Sequence, residues 1–446
     1  MAAPDTIAAI ASALGRGAVG VIRISGSEVP RIAEQMLGFL PTPRRARLAD
    51  FMGANSSAID RGLALYFPAP DSFTGEHVLE LQGHGGALVL DLVLKRLVEL
   101  GCRLARPGEF SERAFLNGKM DIAQAEAVAD LIDAGTAAAA RAALRSMQGE
   151  FSARIHDLQA QITALRSFSE AAIDFPDEAL DFLSGAALTG RLETLFKSFE
   201  SIGAAARQGA LLREGLNVVI AGKPNAGKSS LLNRLVGDEV AIVTDQPGTT
   251  RDVLRQHVHL DGLPLNLVDT AGLRPATDVV EAEGVRRARA ELAKADRVLY
   301  VLDAGTPGDG SEALAQLPPV PVTLIFNKID LTGDVARIDE SSSPPRVFLS
   351  AKTGSGISEL REHLKKTAGF VPGESGALSA RRRHLDALDR ARRCVAEAAQ
   401  SLRAGRAFEL FAEDLRLAQR ALGEITGEFT SDDLLGEIFG SFCIGK

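Results

Sequence analysis

The spacing of apolar residues divides the chain into three kinds of segment. Up to about residue 118, short apolar runs typical of strands, "GVIRIS" (20–25), "LALYF" (63–67) and "VLELQG" (78–83), alternate with Gly, Pro and Asp. A helix is predicted directly after them, at "GALVLDLVLKRLVELG" (86–101). The mixture predicts an α+β domain for residues 1–118.

From residue 119 to 213 apolar residues recur at intervals of three and four, as in "ALRSMQGEFSARIHDLQAQITALRSF" (143–168). The same pattern returns over residues 373–446. Both stretches predict long amphipathic helices, and neither would bury its apolar stripe well alone. We therefore expect one helical domain formed by two chain segments.

Residues 214–372, which separate the helical segments, begin with the apolar run "LNVVIAG" (216–222) and alternate predicted strands with predicted helices. The predicted architecture is multidomain α/β plus α. It comprises an N-terminal α+β domain (1–118), a helical domain (119–213 and 373–446) and an α/β domain (214–372) inserted into the helical one.

Composition narrows this picture without changing it. The chain has 446 residues, 46% of them hydrophobic and 24% charged, and no run approaches the roughly 18 apolar residues of a membrane span. No basic region precedes an apolar core at the N-terminus, so we expect a cytoplasmic protein without a signal peptide or membrane association.

Cys102, Cys394 and Cys443 are far apart and form no C-x-x-C, which favours neither a disulfide framework nor a zinc site. The net charge of −8 means that an RNA partner would have to bind through a local surface.

The stretch "GKPNAGKSS" (222–230) follows a predicted strand and precedes a predicted helix, the setting of a phosphate-binding P-loop. Backbone N–H groups there can hold phosphate oxygens, Lys228 can reach the β- and γ-phosphates, and the Ser229 hydroxyl can bind Mg²⁺. The nucleotide-contacting residues predicted from this motif are Asn225, Ala226, Gly227, Lys228, Ser229 and Ser230.

Three later motifs follow in the order that a GTP-binding domain requires. In "DTAG" (269–272), Asp269 ends an apolar strand and is suited to contact Mg²⁺ indirectly, with Thr270, Ala271 and Gly272 beside the γ-phosphate. In "NKID" (327–330), the Asp330 carboxylate can accept from the two N–H donors of guanine, which adenine lacks. Asn327 and Lys328 belong to the same motif, and "SAK" (Ser350, Ala351 and Lys352) is expected near the base. Together these elements resemble the Ras-like GTPase fold.

The catalytic part of the domain departs from the Ras pattern. Leu273 follows "DTAG" where Ras-type proteins carry a glutamine that orients the attacking water. The side-chain carbonyl of Asn225 can help to bind a monovalent cation, which would supply positive charge next to the phosphates. "VTDQPGTTRD" (243–252) is typical of a switch I loop in which Thr250 binds Mg²⁺. The switch residues predicted to contact the nucleotide are Thr244, Asp245, Gln246, Pro247, Gly248, Thr249 and Thr250.

The whole chain resembles the MnmE (TrmE) family of bacterial and organellar tRNA-modifying GTPases. The resemblance rests on "GKPNAGKSSLLN", "TDQPGTTRDV", "DTAGLR", "LELQGHGG", "RPGEFSERAFLNGKMDIAQAEAVADLIDA" and the tail "GEFTSDDLLGEIFGSFCIGK". It implies a homodimer whose G domains pair when K⁺ is bound, with Asn225, Thr244, Gln246 and Thr249 around the ion. It also implies that Glu281 orients the attacking water and that Arg274 helps to hold the switch.

The resemblance further implies that the N-terminal domain dimerises and binds a tetrahydrofolate one-carbon donor, 5-formyltetrahydrofolate or methylenetetrahydrofolate. Arg23, Glu80, Lys119 and Lys446 would contact that folate, and Cys443 would take part in the modification chemistry. The implied reaction adds a carboxymethylaminomethyl or aminomethyl group to C5 of the wobble uridine of tRNA. It requires an FAD-containing MnmG (GidA)-type partner in a heterotetramer or larger assembly, and FAD is expected only in that partner because no G-x-G-x-x-G follows a strand here.

Simpler interpretations stand beside these expectations. Arg23 and Glu80 fit a surface ion pair equally well, Glu281 fits a solvated carboxylate, and Cys443 fits a small apolar residue that packs the tail. The ending "CIGK" has the spacing of a prenylation signal, but Gly445 and a terminal lysine disfavour it.

A purely regulatory GTPase of the Era type and a self-assembling one of the septin or dynamin sort are the competing classes. The first is disfavoured because no G-x-x-G loop between a pair of helices, as in a KH domain, is apparent after residue 370. The second is disfavoured by the β-rich N-terminal domain and the lack of a lipid-binding segment.

Overall fold

A computed structural model describes residues 5–13, 15–174, 185–237, 255–269, 292–306, 314, 317–371, 376–403, 408–429 and 432–445. Contacts divide the chain into two compact units. One comprises Met1–Ala129, Met147–Thr189 and Asp389–Lys446, and the other comprises Asp130–Ser146 and Gly190–Leu388. The three domain boundaries predicted from the sequence, at 118/119, 213/214 and 372/373, remain a prediction.

The N-terminal region is a six-stranded sheet with helices on both faces. Its strands and helices, in chain order, are β1 Ile7–Ile10, β2 Val19–Ser25, α1 Val29–Leu37, β3 Arg47–Met52, β4 Ala58–Phe67, β5 Val78–His84, α2 Ala87–Glu99, β6 Arg103–Leu104 and α3 Glu109–Leu116. The strand order is β3-β4-β5-β2-β1-β6, antiparallel except between β1 and β6.

Alternation along β2 and β5 decides which side chains this sheet presents on each face. Ile22, Ile24, Leu79 and Leu81 are buried in one core with residues of α1 and α2. Arg23 and Glu80 fall between them and therefore point to the opposite face, where α3 contributes Phe110. The α+β character expected for this region is confirmed.

The first helical segment, which follows the N-terminal region, contains α4 Ile122–Ile132, α5 Ala137–Met147, α6 Glu150–Asp174 and α7 Gly185–Glu214. Gly215 follows α7 with a φ of +71° and its N–H bonds to the carbonyl of Leu211, which ends the helix. The next strand begins at Leu216, where the sequence pattern changes from helical spacing to a continuous apolar run.

The inserted α/β region contains β7 Leu216–Gly222, α8 Lys228–Gly237, β8 Arg255–Leu260, β9 Leu263–Asp269, β10 Arg297–Asp303, β11 Val322–Asn327, α9 Ile329–Thr332, β12 Arg337–Asp339, β13 Arg346–Phe348 and α10 Ile357–Thr367. Its strand order is β12-β13-β11-β10-β7-β9-β8. The five central strands are parallel and the two edge pairings are antiparallel. The carboxyl ends of the parallel strands therefore share one edge, where ligands bind in open α/β sheets.

Within its described residues, the C-terminal segment contains the helices α11 Arg382–Arg403, α12 Phe408–Thr426 and α13 Asp432–Gly440. α12 packs along α6, which lies in the first helical segment. Arg166 of α6 donates to Gln419 of α12 (2.5 Å), and Gln419 donates in turn to Thr163 (2.6 Å). The expected helical domain formed by two chain segments is confirmed by this pairing.

Asp130, near the end of α4, holds together the two places where the chain passes into and out of the α/β region. Its carboxylate accepts from Arg213 Nε (2.8 Å), Arg381 Nη2 (3.2 Å) and Ser379 Oγ (2.6 Å). None of the helices within the described ranges combines the length and apolarity that a membrane span requires.

Candidate functional site

The loop between β7 and α8 is shaped to surround an anion. Asn225 has a φ of +62° and Gly227 a φ of +97°, both left-handed. A Cβ at position 227 would overlap Nδ2 of Asn327, so only glycine lets the loop pass so close to its neighbour. The loop then leads directly into α8, whose N-terminus directs backbone N–H groups and the positive end of the helix dipole toward the loop.

The first residues of α8 supply the groups that a nucleotide phosphate and its Mg²⁺ require. Lys228 is buried, and its Nζ donates to the carbonyl of Lys223 across the loop (2.9 Å). Ser229 follows it and is exposed. A cation held inside the loop and a hydroxyl at its edge fit a phosphate and an associated divalent cation.

Asn327, at the end of β11, joins three of the predicted motifs. It is 2% exposed, its Nδ2 donates to the carbonyl of Ala226 in the P-loop (2.9 Å), and its Oδ1 accepts from the N–H of Ala351 (2.9 Å). Both ends of its side-chain amide are therefore used within the protein. Asn327 thus ties the two loops together, and because its Nδ2 carries a second hydrogen, its contact with the base stays a prediction.

Asp330 lies beside this residue and is exposed, with its carboxylate oriented by the protein. The buried Ser350 donates from Oγ to Oδ1 of Asp330 (2.6 Å). The carboxylate is thus held in place and remains open to solvent, as an acceptor for the N–H donors of guanine must be. Lys352 is exposed in the same loop as Ser350.

Asp303 at the end of β10 is a residue that the sequence analysis missed. Lys328, at a φ of +69°, donates from Nζ to Asp303 Oδ2 (2.7 Å). The hydrogen bond from Lys328, followed by one from the N–H of Gly305, holds the pKa of Asp303 below its ordinary value. The available signal was its place at the end of a buried parallel strand, which it shares with Asp269 and Asn327.

Several predicted residues lie outside the described ranges. These are Thr244, Asp245, Gln246, Pro247, Gly248, Thr249, Thr250, Thr270, Ala271, Gly272, Arg274, Glu281 and Lys446. Asp269 ends β9, but its side chain is likewise outside the description. Of the expected ligands of K⁺ and Mg²⁺, the structure therefore places Asn225 and Ser229, both exposed in or beside the P-loop. Among the described residues, the Asn225 amide has no hydrogen-bond partner, which leaves it accessible to a ligand.

Arg23 and Glu80 form a second candidate site in the N-terminal region. They are direct cross-strand partners on β2 and β5, and Nε and Nη2 of Arg23 both contact Oε1 of Glu80 (3.0 and 2.9 Å). The Arg23 guanidinium lies 5.4 Å from the ring centre of Phe73 and 5.8 Å from that of Phe110. We call these four residues the Arg23 platform. Lys119 is exposed beyond the end of α3 and makes no hydrogen bond to the platform within the described residues.

A buried ionic network supports the platform, and sequence reasoning did not find it. Glu109, 2% exposed, accepts from Arg103 (2.5 Å), from the N–H of Arg106 (2.8 Å) and from Arg113 (3.0 Å). Burial opposes ionisation of Glu109, but these hydrogen bonds outweigh it and hold its pKa below the ordinary value. Arg113 also bonds to Asp5 (2.9 Å) and Glu76 (3.0 Å). The alternation of acid and base in "RPGEFSERAF" (106–115) was the signal for it.

The C-terminal tail belongs to the same compact unit as the platform. Phe439 and Phe442 pack with Ile122 and Ala125 of α4, and Cys443 beyond them is exposed. Cys102 is different, because burial raises the pKa of its thiol to about 12 and the charge of Arg31 opposes the rise only in part. Of these two thiols, Cys443 is the accessible one.

Known proteins match this chain over the residues of both candidate sites. A family model described as "MnmE helical domain" matches residues 122–443, and one described as "GTP-binding protein TrmE N-terminus" matches residues 6–119. The tRNA modification GTPase MnmE of Chromohalobacter salexigens is 58% identical over 449 residues, 99% of this chain and 98% of the relative. That of Yersinia pseudotuberculosis is 55% identical over 455 residues, 100% of both chains.

Among solved structures, the G domain of the T. maritima FeoB iron transporter is 29% identical, with a TM-score of 0.27, over 34% of this chain and 98% of that one. The two family models and the full-length relatives settle the question of family. The chain belongs to the MnmE family of tRNA modification GTPases.

Proposed function

We propose that this GTPase adds a carboxymethylaminomethyl or aminomethyl group to C5 of the wobble uridine of certain tRNAs, in the cytoplasm. It works with an FAD-containing MnmG (GidA)-type partner, in a heterotetramer or larger assembly, and with 5-formyltetrahydrofolate or methylenetetrahydrofolate as one-carbon donor. Membership of a tRNA-modifying GTPase family supports the class of reaction. The FAD-containing partner and the one-carbon donor are further parts of the proposal, beyond the class of reaction.

The observation that carries the proposal is the Arg23 platform, which provides a ligand site separate from the nucleotide site. Both contacts of Arg23 fall on Oε1 of Glu80, so that within the described residues Oε2 is left to accept from a ligand. A pterin ring carries the same adjacent N–H donors as guanine, and a carboxylate is their natural acceptor. Phe73 and Phe110 offer aromatic surface beside it. Lys119 and Lys446 would then hold the carboxylates of the folate tail, and Cys443 would act on the transferred group.

For GTP hydrolysis we infer a homodimer in which two G domains pair around K⁺. Asn225, Thr244, Gln246 and Thr249 would bind that ion, while Ser229 and Thr250 would bind Mg²⁺. The exposed Asn225 amide and the absence of a water-orienting side chain at Leu273 support this arrangement. Glu281 would orient the attacking water and Arg274 would hold the switch.

Steady-state GTP hydrolysis in matched KCl and NaCl tests the cation mechanism. We expect KCl to stimulate the wild type strongly, and Glu281→Ala to lower the stimulated rate about a hundredfold, because an oriented water is lost. Glu283→Ala is the matched control, since it removes a carboxylate two residues away. Asn225→Ala should abolish the difference between the salts.

Equal rates in both salts, with Glu281→Ala and Glu283→Ala behaving alike, would overturn the mechanism and favour a switch activated by a partner. The donor is tested separately, by equilibrium binding of each folate to the wild type and to Arg23→Met. Binding that is indifferent to Arg23 would remove the platform from the proposal.

A further inference from the structure

Residues 106–110, which comprise the end of the loop before α3 and the first two residues of that helix, contact the C-terminal tail at Gly108. The N–H of Gly108 donates to the carbonyl oxygen of Cys443 (3.4 Å). Gly108 has a φ of +67°, and a Cβ there would overlap the carbonyl oxygen of Phe439 and lie 3.1 Å from its Cα. No larger residue fits at position 108 unless the end of α13 moves.

The same stretch of chain reaches the Arg23 platform at the start of α3. Phe110 lies two residues beyond Gly108, is fully buried and forms part of the surface under the Arg23 guanidinium. Between them Glu109 is bonded to the N–H of Arg106 and to Arg103 and Arg113. Residues 106–110 are therefore held by hydrogen bonds on both sides of Gly108.

The tail makes a second contact close to Arg23. A Cβ at Gly445 would overlap the carbonyl oxygen of Ile10 and lie 3.0 Å from Cα of Ala11. Ile10 is the cross-strand partner of Ile22, and Ala9 is that of Arg23. Residues on both sides of Cys443 are thus held against elements that adjoin the platform.

We propose that Gly108 is the positioning residue that seats the tail, so that Cys443 stands beside the ligand held by the Arg23 platform. The inference rests on the proposed function for the role of Cys443 and of the folate. Gly108 takes no part in the chemistry. It acts only by fixing the position of the C-terminal tail.

The test compares Gly108→Ala with Gly38→Ala. Gly38 ends α1 with a φ of +78°, and nothing lies within 4 Å of where its Cβ would be. Both variants therefore strain a left-handed backbone in the same domain, but only Gly108→Ala collides with the tail. Gly108→Asn keeps the collision with less strain, because asparagine tolerates the left-handed region.

Hydrogen exchange of the peptide covering residues 434–445 gives a readout that needs no folate, partner or tRNA. We expect both Gly108 variants to speed this exchange about tenfold, because the tail loses its packing, and Gly38→Ala to match the wild type. Formation of modified uridine, measured with the FAD protein, the folate and tRNA, should fall about tenfold in the same two variants.

Tail exchange unchanged in both Gly108 variants would overturn the seating. If the Gly108 variants exchange faster in the tail but form modified uridine as the wild type does, the role of the seated tail in the reaction is overturned. If the wild type itself forms no modified uridine, the proposed function fails, while the exchange data still decide whether Gly108 seats the tail.

Discussion

The two candidate sites of this chain are built from different kinds of group. At the candidate nucleotide site, backbone N–H groups, a left-handed loop and the amide of Asn327 would surround the ligand. At the Arg23 platform, charged side chains already paired with one another would surround the ligand, and Phe110 of the platform directly follows Glu109, which is buried and bonded to Arg103 and Arg113.

The difference follows from what each ligand would bring. A triphosphate carries its own high charge, so a site of N–H dipoles and one lysine suffices, and it avoids repulsion among several buried charges. A pterin ring brings little charge, and a site for it must supply the polarity itself. Charged groups that are already paired can do so without the cost of leaving a buried ion alone.

The largest effect is expected from Asp330→Asn, which tests whether the nucleotide site reads its base through one carboxylate. Asparagine offers one donor and one acceptor instead of two acceptors, which suits xanthine, whose C2 carries an oxygen. We expect the preference for GTP over XTP to change by about four orders of magnitude in favour of XTP. Titration with fluorescent GTP and XTP measures both dissociation constants.

Asp334→Asn is the control, since this exposed aspartate four residues away is held by Thr332 (2.8 Å) rather than by Ser350. An unchanged preference in Asp330→Asn would show that backbone groups select the base. The nucleotide site would then depend on backbone groups even for its choice of base, unlike the Arg23 platform with its charged side chains.

The next effect tests the ionic network under the platform. Arg113 is 8% exposed and contacts Asp5, Glu76 and Glu109, so Arg113→Met leaves the buried Glu109 with one charged partner fewer. We expect the free energy of unfolding of the N-terminal region to fall by about 3 kcal/mol. Urea denaturation followed by circular dichroism measures it.

Arg61→Met is the matched control, because Arg61 is exposed and lies 3.5 Å from the exposed Asp50. Its expected cost is below about 1 kcal/mol. Equal costs for the two variants would mean that the buried network contributes no more than a surface pair, and the comparison would fail.

The smallest effect is a dependence on pH. The folded-state pKa of Glu109 is lowered, so its stabilisation is present above the unfolded pKa, about 4.3, and is lost as the pH falls through the folded value. Glu109→Gln should therefore flatten the fall in unfolding free energy below about pH 4.3. Glu99→Gln, an exposed carboxylate on α2, should keep the slope of the wild type. Identical slopes in all three proteins would exclude Glu109 as the group responsible.

Much of the fold could be predicted from local pattern. The change from helical spacing to a continuous apolar run at Leu216 coincides with the end of α7 and the start of β7, because helix and strand bury different sets of positions. The P-loop and "NKID" were recognisable for a similar reason, since each motif is continuous in sequence and works through its own backbone.

The roles of single side chains were harder to predict. The expected contact of Asn327 with the base stays a prediction, and the structure adds bonds from its amide to Ala226 and Ala351 that no motif indicated. Asp303 and Glu109 were not identified at all, because their partners lie on other elements or depend on the path of a loop.

The sequence by itself determined the family, the order of the domains and the motifs that bind a nucleotide, because these depend on short, continuous patterns. Only the tertiary structure decided that Glu80 faces Arg23 and that Asp130 binds both Arg213 and Arg381. It alone decided that Gly108 meets Cys443. Each of these pairs is separated by more than 50 residues, and which side chains meet over such distances is set by strand register and helix packing, which no local pattern encodes.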